Sequence, residues 1–379
     1  MRHSISLGFA LAATMATATP LYADEPTDVP INVVASFSVL ADMVEEVGGD
    51  HVTVTALVGP DSDPHMFSPS PTEARAVAKA DLVVFNGLNY EGWMERLIDS
   101  SDYQGAMVTA TEGITPLTFH GHDHGHDHGH DHGGHDHETH GQEHDHDHHG
   151  HDDHDQSGHH HEQGSPDPHA WQDLGNAITY VANIRDGLIA ADPAHADAYR
   201  ANASRYSEAI TSLDEELHAL LAEVPANSSV ITGHEAFDYF ANAYGITFLS
   251  PSGLSTSSEP SAADLARLID VIRDEGVSAL FNESMTSTAT LEQLSEETGL
   301  PIAGTLYSGS LSAEGEASTY LGMMRHNAEV LHDALGVAGH QAERAPEQMH
   351  DHEESHDHGH AHEYDQQHEL ADDHSGHDH

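Results

Sequence analysis

Apolar positions along the chain follow two alternating periods. In INVVASFSVLADMVEEVGG a β-branched run at 31–35 gives way to apolar spacings of three and four. This predicts a strand and then an amphipathic helix stopped by Gly48 and Gly49. VTVTALVGP reads as a strand broken by Gly59 and Pro60, SPTEARAVAKA as a helix with a Ser/Thr start, and DLVVFNG as a buried strand stopped by Gly87. Such alternation predicts a parallel sheet with helices on its faces. Helical periodicity returns over 173–191 and 193–223, where Asp192 before Pro193 marks a start and Pro225 an end. A helix of ~30 residues at ~1.5 Å each spans ~45 Å, enough to run along two domains as a stiff spine. The second half repeats the first: SSVITGH, a helix over 236–244, ITFLSPSG, SAADLARLIDVIRDEG, VSALFNES, TATLEQLSEETG, PIAGTLYSG and a last helix over 318–336. The expected fold is α/β, with two lobes, each a mostly parallel sheet flanked by helices, joined by one long rigid helix with a cleft between them.

Two stretches carry neither period. Of the 39 histidines, 30 lie in 120–161 and 340–379, where HGHDHGHDHGHDHGGHDH sets the manner. Repeats so poor in apolar residues and so rich in Gly and charge cannot bury enough surface to fold, and each presents many weak, exchangeable imidazole and carboxylate sites. The start, MRHSISLGFALAATMATATPLYADEPTD, has a basic end, a short apolar stretch and small residues leading to Ala23. It reads as a secretory signal peptide, since the apolar run falls short of the ~20 residues of a membrane span. The divisions are then a signal peptide at 1–23, an N-terminal α/β lobe at 24–119, a disordered His/Asp-rich loop at 120–164, a loop and helix completing that lobe at 165–191, the linking helix at 192–225, a C-terminal α/β lobe at 226–339 and a disordered His-rich tail at 340–379.

Charge narrows the function. Eleven Lys and Arg against 65 Asp and Glu, a formal net charge of −54 with histidine neutral, leave no basic surface for nucleic acid. The chain has no cysteine, hence no disulfide, no thiolate metal site and no lipid-bearing lipobox cysteine. The expected product is a protein of a Gram-negative periplasm without membrane insertion.

Ligands of open α/β sheets sit beyond the carboxyl ends of strands. Three of the scattered histidines occupy such places: His65 in DSDPHMF, His169 in SPDPHAW and His234 in VITGHEAF, each beside Pro or Gly and followed by an aromatic, Phe67, Trp171 or Phe237. Taken singly, each is more simply a surface or capping residue. Three at the same kind of position can converge on one cleft. His51, His195, His218, His326 and His332 lack that context and read as solvated or structural. Three imidazoles suit Zn²⁺, Cu²⁺, Ni²⁺ or Fe²⁺ better than Mg²⁺ or Ca²⁺. An open His₃ zinc site can also activate water, but the chain has no HExxH helix and no evident acid or base partner, which counts against an enzyme.

DSDPHMFSPSPTEARAVAKADLVVFNGLNYEGWMERLI, DPHAWQDLGNA, TGHEAFDYFANAYGI and STYLGMMRHN resemble the solute-binding proteins of zinc and manganese ATP-binding-cassette importers. The resemblance covers nearly all of 31–335 except the first tract. It implies two α/β lobes bridged by one rigid helix, a membrane permease with its ATPase as partners, and metal buried between the lobes on His65, His169 and His234; the protein is expected to be a monomer. Manganese members tend to place a carboxylate at the position of His234, and a His-rich loop before the second ligand marks zinc members, so the implied cargo is Zn²⁺ rather than Mn²⁺. Many relatives add an aspartate after the final strand, where this chain has Gly309. The fourth ligand is then expected to be water, with Glu314, Glu316 or a tract histidine as alternatives. Asp63 and Asp167, each two residues before a ligand histidine, are candidates to hold the imidazoles, or simply turn formers. The competing reading is a periplasmic zinc store in which the tracts are the main sites.

Overall fold

A computed structural model describes residues 29–118, 164–254, 256 and 260–336. The signal-peptide reading and nearly all of both His-rich tracts lie outside these residues.

The β-branched run seen in the sequence becomes β1 (Ile31–Phe37), five of whose seven residues are buried, because it is a central strand covered on both faces. It leads directly into α1 (Ser38–Gly48), which buries Val39, Leu40, Met43, Val44 and Val47 against the sheet. β2 (Val52–Val58) follows, then α2 (Pro71–Val77), started by a capping box between Ser70 and Glu73, then β3 (Leu82–Phe85), α3 (Met94–Ser101) and β4 (Ala106–Thr109). All four strands are parallel in the order β2-β1-β3-β4.

The chain resumes at Gly164, passes a short 3₁₀ turn at Ala170–Gln172 and forms α4 (Leu174–Ala191). The predicted spine is α5 (Ala196–Leu221), preceded by a 3₁₀ turn at Pro193–His195 rather than continuous with it. At ~1.5 Å per residue it spans roughly 39 Å. One face, Tyr199, Ala203, Tyr206, Ile210, Leu213, Leu217 and Leu221, is buried along the whole length.

A second sheet repeats the first: β5 (Ser229–Ile231), α6 (Asp238–Tyr244), β6 (Thr247–Leu249), α7 (Ala262–Glu275), β7 (Ala279–Glu283), α8 (Ala289–Thr298), β8 (Ile302–Leu306) and the closing α9 (Tyr320–Gly336), with the parallel order β6-β5-β7-β8. The fold is thus α/β with two parallel-sheet lobes, as the apolar periods predict. Strand order reverses between β1 and β3 in one sheet and between β5 and β7 in the other, which opens a crevice at the carboxyl ends of those strands.

Candidate metal centre

The three histidines picked out in sequence meet. Their ring centroids form a triangle with every side 5.4 Å. One nitrogen from each lies within 4.8 Å of the others, and Nε2 of His65 and Nε2 of His169 are 3.3 Å apart. Two nitrogens at ~2.0–2.1 Å from a tetrahedral Zn²⁺ lie about 3.4 Å from each other, so that pair already stands at ligand spacing. His169 and His234 are buried and His65 is partly so.

Each histidine is set by a different device. His65 follows β2 in a loop held by Trp93, whose indole N–H donates to the Pro64 carbonyl at 2.9 Å, and Phe67 packs on the same indole with ring centroids 4.9 Å apart. Asp63 accepts the His65 backbone N–H at 2.8 Å and the Thr256 hydroxyl at 2.6 Å, so it shapes the turn and ties it to the second lobe.

His169 is gripped more directly. Asp167, itself fully buried, accepts from its backbone N–H at 2.9 Å and meets its Nδ1 at 2.8 Å. A carboxylate there fixes the tautomer that leaves Nε2 facing the other histidines. The loop around it is strapped on both sides. Asn86 donates to the Pro168 carbonyl at 2.8 Å, and the Trp171 indole and the Gln172 amide both donate to the Ser308 carbonyl, at 2.9 and 2.7 Å.

His234 follows β5, and its partner, which the sequence reading missed, is Glu283 at the end of β7. Oε2 lies 2.7 Å from His234 Nδ1, Oε1 accepts the His234 backbone N–H at 2.8 Å, and the Ser308 hydroxyl donates to Oε2 at 2.6 Å. The two strands flank the reversal in strand order, so the topology itself presents this pair to the crevice. Burial alone would raise the Glu283 carboxyl, but the His234 ring and its hydrogen bonds hold it below its ordinary range. Burial disfavours the His234 imidazolium, yet Glu283, with Asp63 and Asp167, pushes its pKa up. Among the described residues, His234 Nε2 is buried with no hydrogen-bond partner. A signal was present in VSALFNES, an acid closing an otherwise apolar strand.

No carboxylate joins the three imidazoles among the described residues. Glu314 and Glu316, offered in sequence as fourth ligands, are exposed and stay outside the cluster, because both sit on a surface turn before α9. The remaining described histidines also stay outside it. His51 and His195 stack on each other at 3.9 Å, His218 packs on Tyr244, His326 meets the Thr305 carbonyl and His332 meets Glu223.

A family described as "ZnuA: Zinc-uptake complex component A periplasmic" matches residues 33–334. The chain belongs to this family. It is 31% identical over 320 residues to the manganese-binding lipoprotein MntA of Bacillus subtilis, covering 83% of this chain and 92% of that one. It is 30% identical over 332 residues to the iron-binding protein YfeA of Yersinia pestis, covering 86% and 94%. In structure it is similar to the periplasmic zinc binding protein TroA from Treponema pallidum, with a TM-score of 0.67, 24% identity and coverage of 81% and 99%. The family makes the chain an extracytoplasmic metal-binding solute-binding protein of an ATP-binding-cassette metal importer, which works with a permease and an ATPase. Among the described residues no helix is long and apolar enough to cross a membrane.

Proposed function

We propose that the chain captures Zn²⁺ on His65, His169 and His234 in a periplasm and carries it, as a monomer, to the permease, with no covalent chemistry. The observation that carries this reading is an all-imidazole donor set that no carboxylate enters among the described residues. Manganese favours carboxylate, carbonyl and water oxygens, whereas three neutral nitrogens suit zinc. The paired acids supply the compensation a buried dication needs: Asp167 and Glu283 each stand behind a ligand ring.

The two His-rich tracts supply weak sites that raise the local metal concentration beside the cleft and hand metal to it by proximity. A metal store would instead show many sites of similar strength.

Metal analysis with a competitive titration separates the readings. The full chain, a chain lacking 121–164 and 340–379, and His65→Ala/His169→Ala/His234→Ala in that shortened chain are compared with Zn²⁺ and Mn²⁺. We expect one tight zinc site in the shortened chain, its loss in the triple variant, and weaker Mn²⁺ binding. Loss of tight binding on removing the tracts alone, or a preference for Mn²⁺, defeats the reading.

A further inference from the structure

The missing aspartate has a structural counterpart. A Cβ built on Gly309 would fall 2.5 Å from the Tyr90 hydroxyl and 3.3 Å from Met285 Cε. A side chain at 309 and the Tyr90 hydroxyl therefore compete for one volume. Tyr90 lies in the loop after β3 and is 2% exposed, and its hydroxyl is buried with no hydrogen-bond partner among the described residues. A buried hydroxyl left unpaired is costly, and in a native fold it points to a partner that arrives with a ligand.

Its ring is fixed in place. It packs on Phe37 at 5.0 Å and Trp171 at 4.8 Å, and makes T-shaped contacts with His65 at 4.8 Å and His169 at 5.6 Å. The loop that carries it is pinned by the next residue, Glu91, which accepts from the Ser36 hydroxyl and from the backbone N–H groups of Asn86 and Gly87.

Resting on the metal-capture reading above, we propose that the Tyr90 hydroxyl takes the place of the family's carboxylate, by donating a hydrogen bond to the water or hydroxide that completes the coordination of an ion held by His65, His169 and His234. A metal-bound oxygen carries lone pairs for such a donor, and three imidazoles leave the fourth position to it. The phenol is a positioning group and not a ligand. Gly309 and Tyr90 then form one exchange, in which a charged ligand from one lobe is replaced by a neutral donor from the other.

Tyr90→Phe in the full chain removes the hydroxyl and keeps the ring. Zinc affinity is read by competition with a chelator, and Co²⁺ at one equivalent by its visible bands and by quenching of Trp171, whose ring centroid is 5.3 Å from that of His169. We expect about a tenfold loss of zinc affinity, within the range that outer-shell partners of metal ligands show. We also expect altered cobalt bands and a metal-free Tm equal to or above that of the parent. Adding Gly309→Asp to Tyr90→Phe should restore affinity, whereas Gly309→Asp alone should not raise it. Zinc affinity within twofold of the parent and unchanged cobalt bands in Tyr90→Phe overturn the proposal, as does a phenolate-to-metal charge-transfer band in the parent. Tight zinc retained by His65→Ala/His169→Ala/His234→Ala would instead defeat the metal-site reading itself.

Discussion

At the scale of single residues, the pair His234 and Glu283 sets how the site answers to pH. A raised histidine pKa stabilises the fold fully below the unfolded value of about 6.5 and ceases to do so as pH rises through the folded value. A lowered glutamate pKa stabilises above about 4.5, and this is lost as pH falls through its folded value. The metal-free protein is therefore best served by this pair in mild acid, where His234 is charged against Glu283. Zinc must displace that proton. The rise in Tm on adding zinc should be small at pH 5.5 and grow through neutrality. In Glu283→Gln the onset should move to lower pH, because the histidine loses the charge that raised its pKa. The same variant should bind zinc about 10- to 100-fold more weakly at pH 7.5, measured by chelator competition. A pH profile unchanged by Glu283→Gln would separate this acid from the chemistry of the site.

The three histidines were legible in sequence because each stands just past an apolar strand or at the edge of a helix, between a turn residue and an aromatic. Asp167 was legible by its spacing. Glu283 and Tyr90 were not, since Glu283 meets a histidine 49 positions away and Tyr90 meets histidines 25 and 79 positions away, and only tertiary packing brings them there. Gly309 stood out as a departure in sequence, but its reason, the Tyr90 hydroxyl, exists only in three dimensions.

Among the elements, α1, α5 and α9 meet at Asp42. Its carboxylate accepts the backbone N–H of Tyr320 at 2.9 Å, at the start of α9, and the hydroxyl of Tyr206 on α5 at 3.4 Å. Burial, with Glu46 and Glu45 nearby and the two hydrogen bonds opposing, pushes it up to about 6. A carboxyl raised in this way favours the fold below its unfolded value of about 3.8 and loses that contribution as pH rises through about 6. At neutral pH the charge is a cost at this joint. Asp42→Asn keeps an acceptor for Tyr320 without the charge. It should stabilise the protein by on the order of 1 kcal/mol at pH 7.5 and have little effect at pH 4, as urea melts at the two values would show. The long helix, seven of the eight described strands and most helix ends were readable from period and caps. The edge strand β4 was not, because two of its four residues are exposed and AMVT offers almost no alternation to read. The spine begins later than Pro193 predicts because that proline opens a 3₁₀ turn that the helix does not absorb.

For the molecule as a whole, burial is unequal. One hydrophobic cluster runs from Val33 and Leu40 in the first lobe through Trp171, Tyr199 and Tyr320 to Phe237, Phe281 and Leu331 in the second. A separate, smaller one, Ile231, Leu249, Leu268, Ile272, Val277, Leu280, Leu291 and Leu294, lies under α7 and α8. The three-histidine cluster sits on the first, which runs through both lobes. Amide exchange should therefore open α7 and α8 well before α1, α4, α5 and α9, with or without zinc, and mass spectrometry of the exchanged protein would show it. Equal protection of all six helices would mean that the two clusters melt together.

The short bridge between Thr118 and Pro166 carries a consequence of its own. The Asp167 N–H donates to the Leu117 carbonyl at 2.8 Å, and the Tyr239 hydroxyl accepts from the Leu117 N–H and donates to the Asp167 carbonyl, so residues 117 and 167 are riveted together beside His169. The number of residues between Leu117 and Asp167 can thus change in a lineage without moving His169, since both ends are held by bonds inside the fold: that length can drift while the geometry of the three-histidine cluster is inherited unchanged.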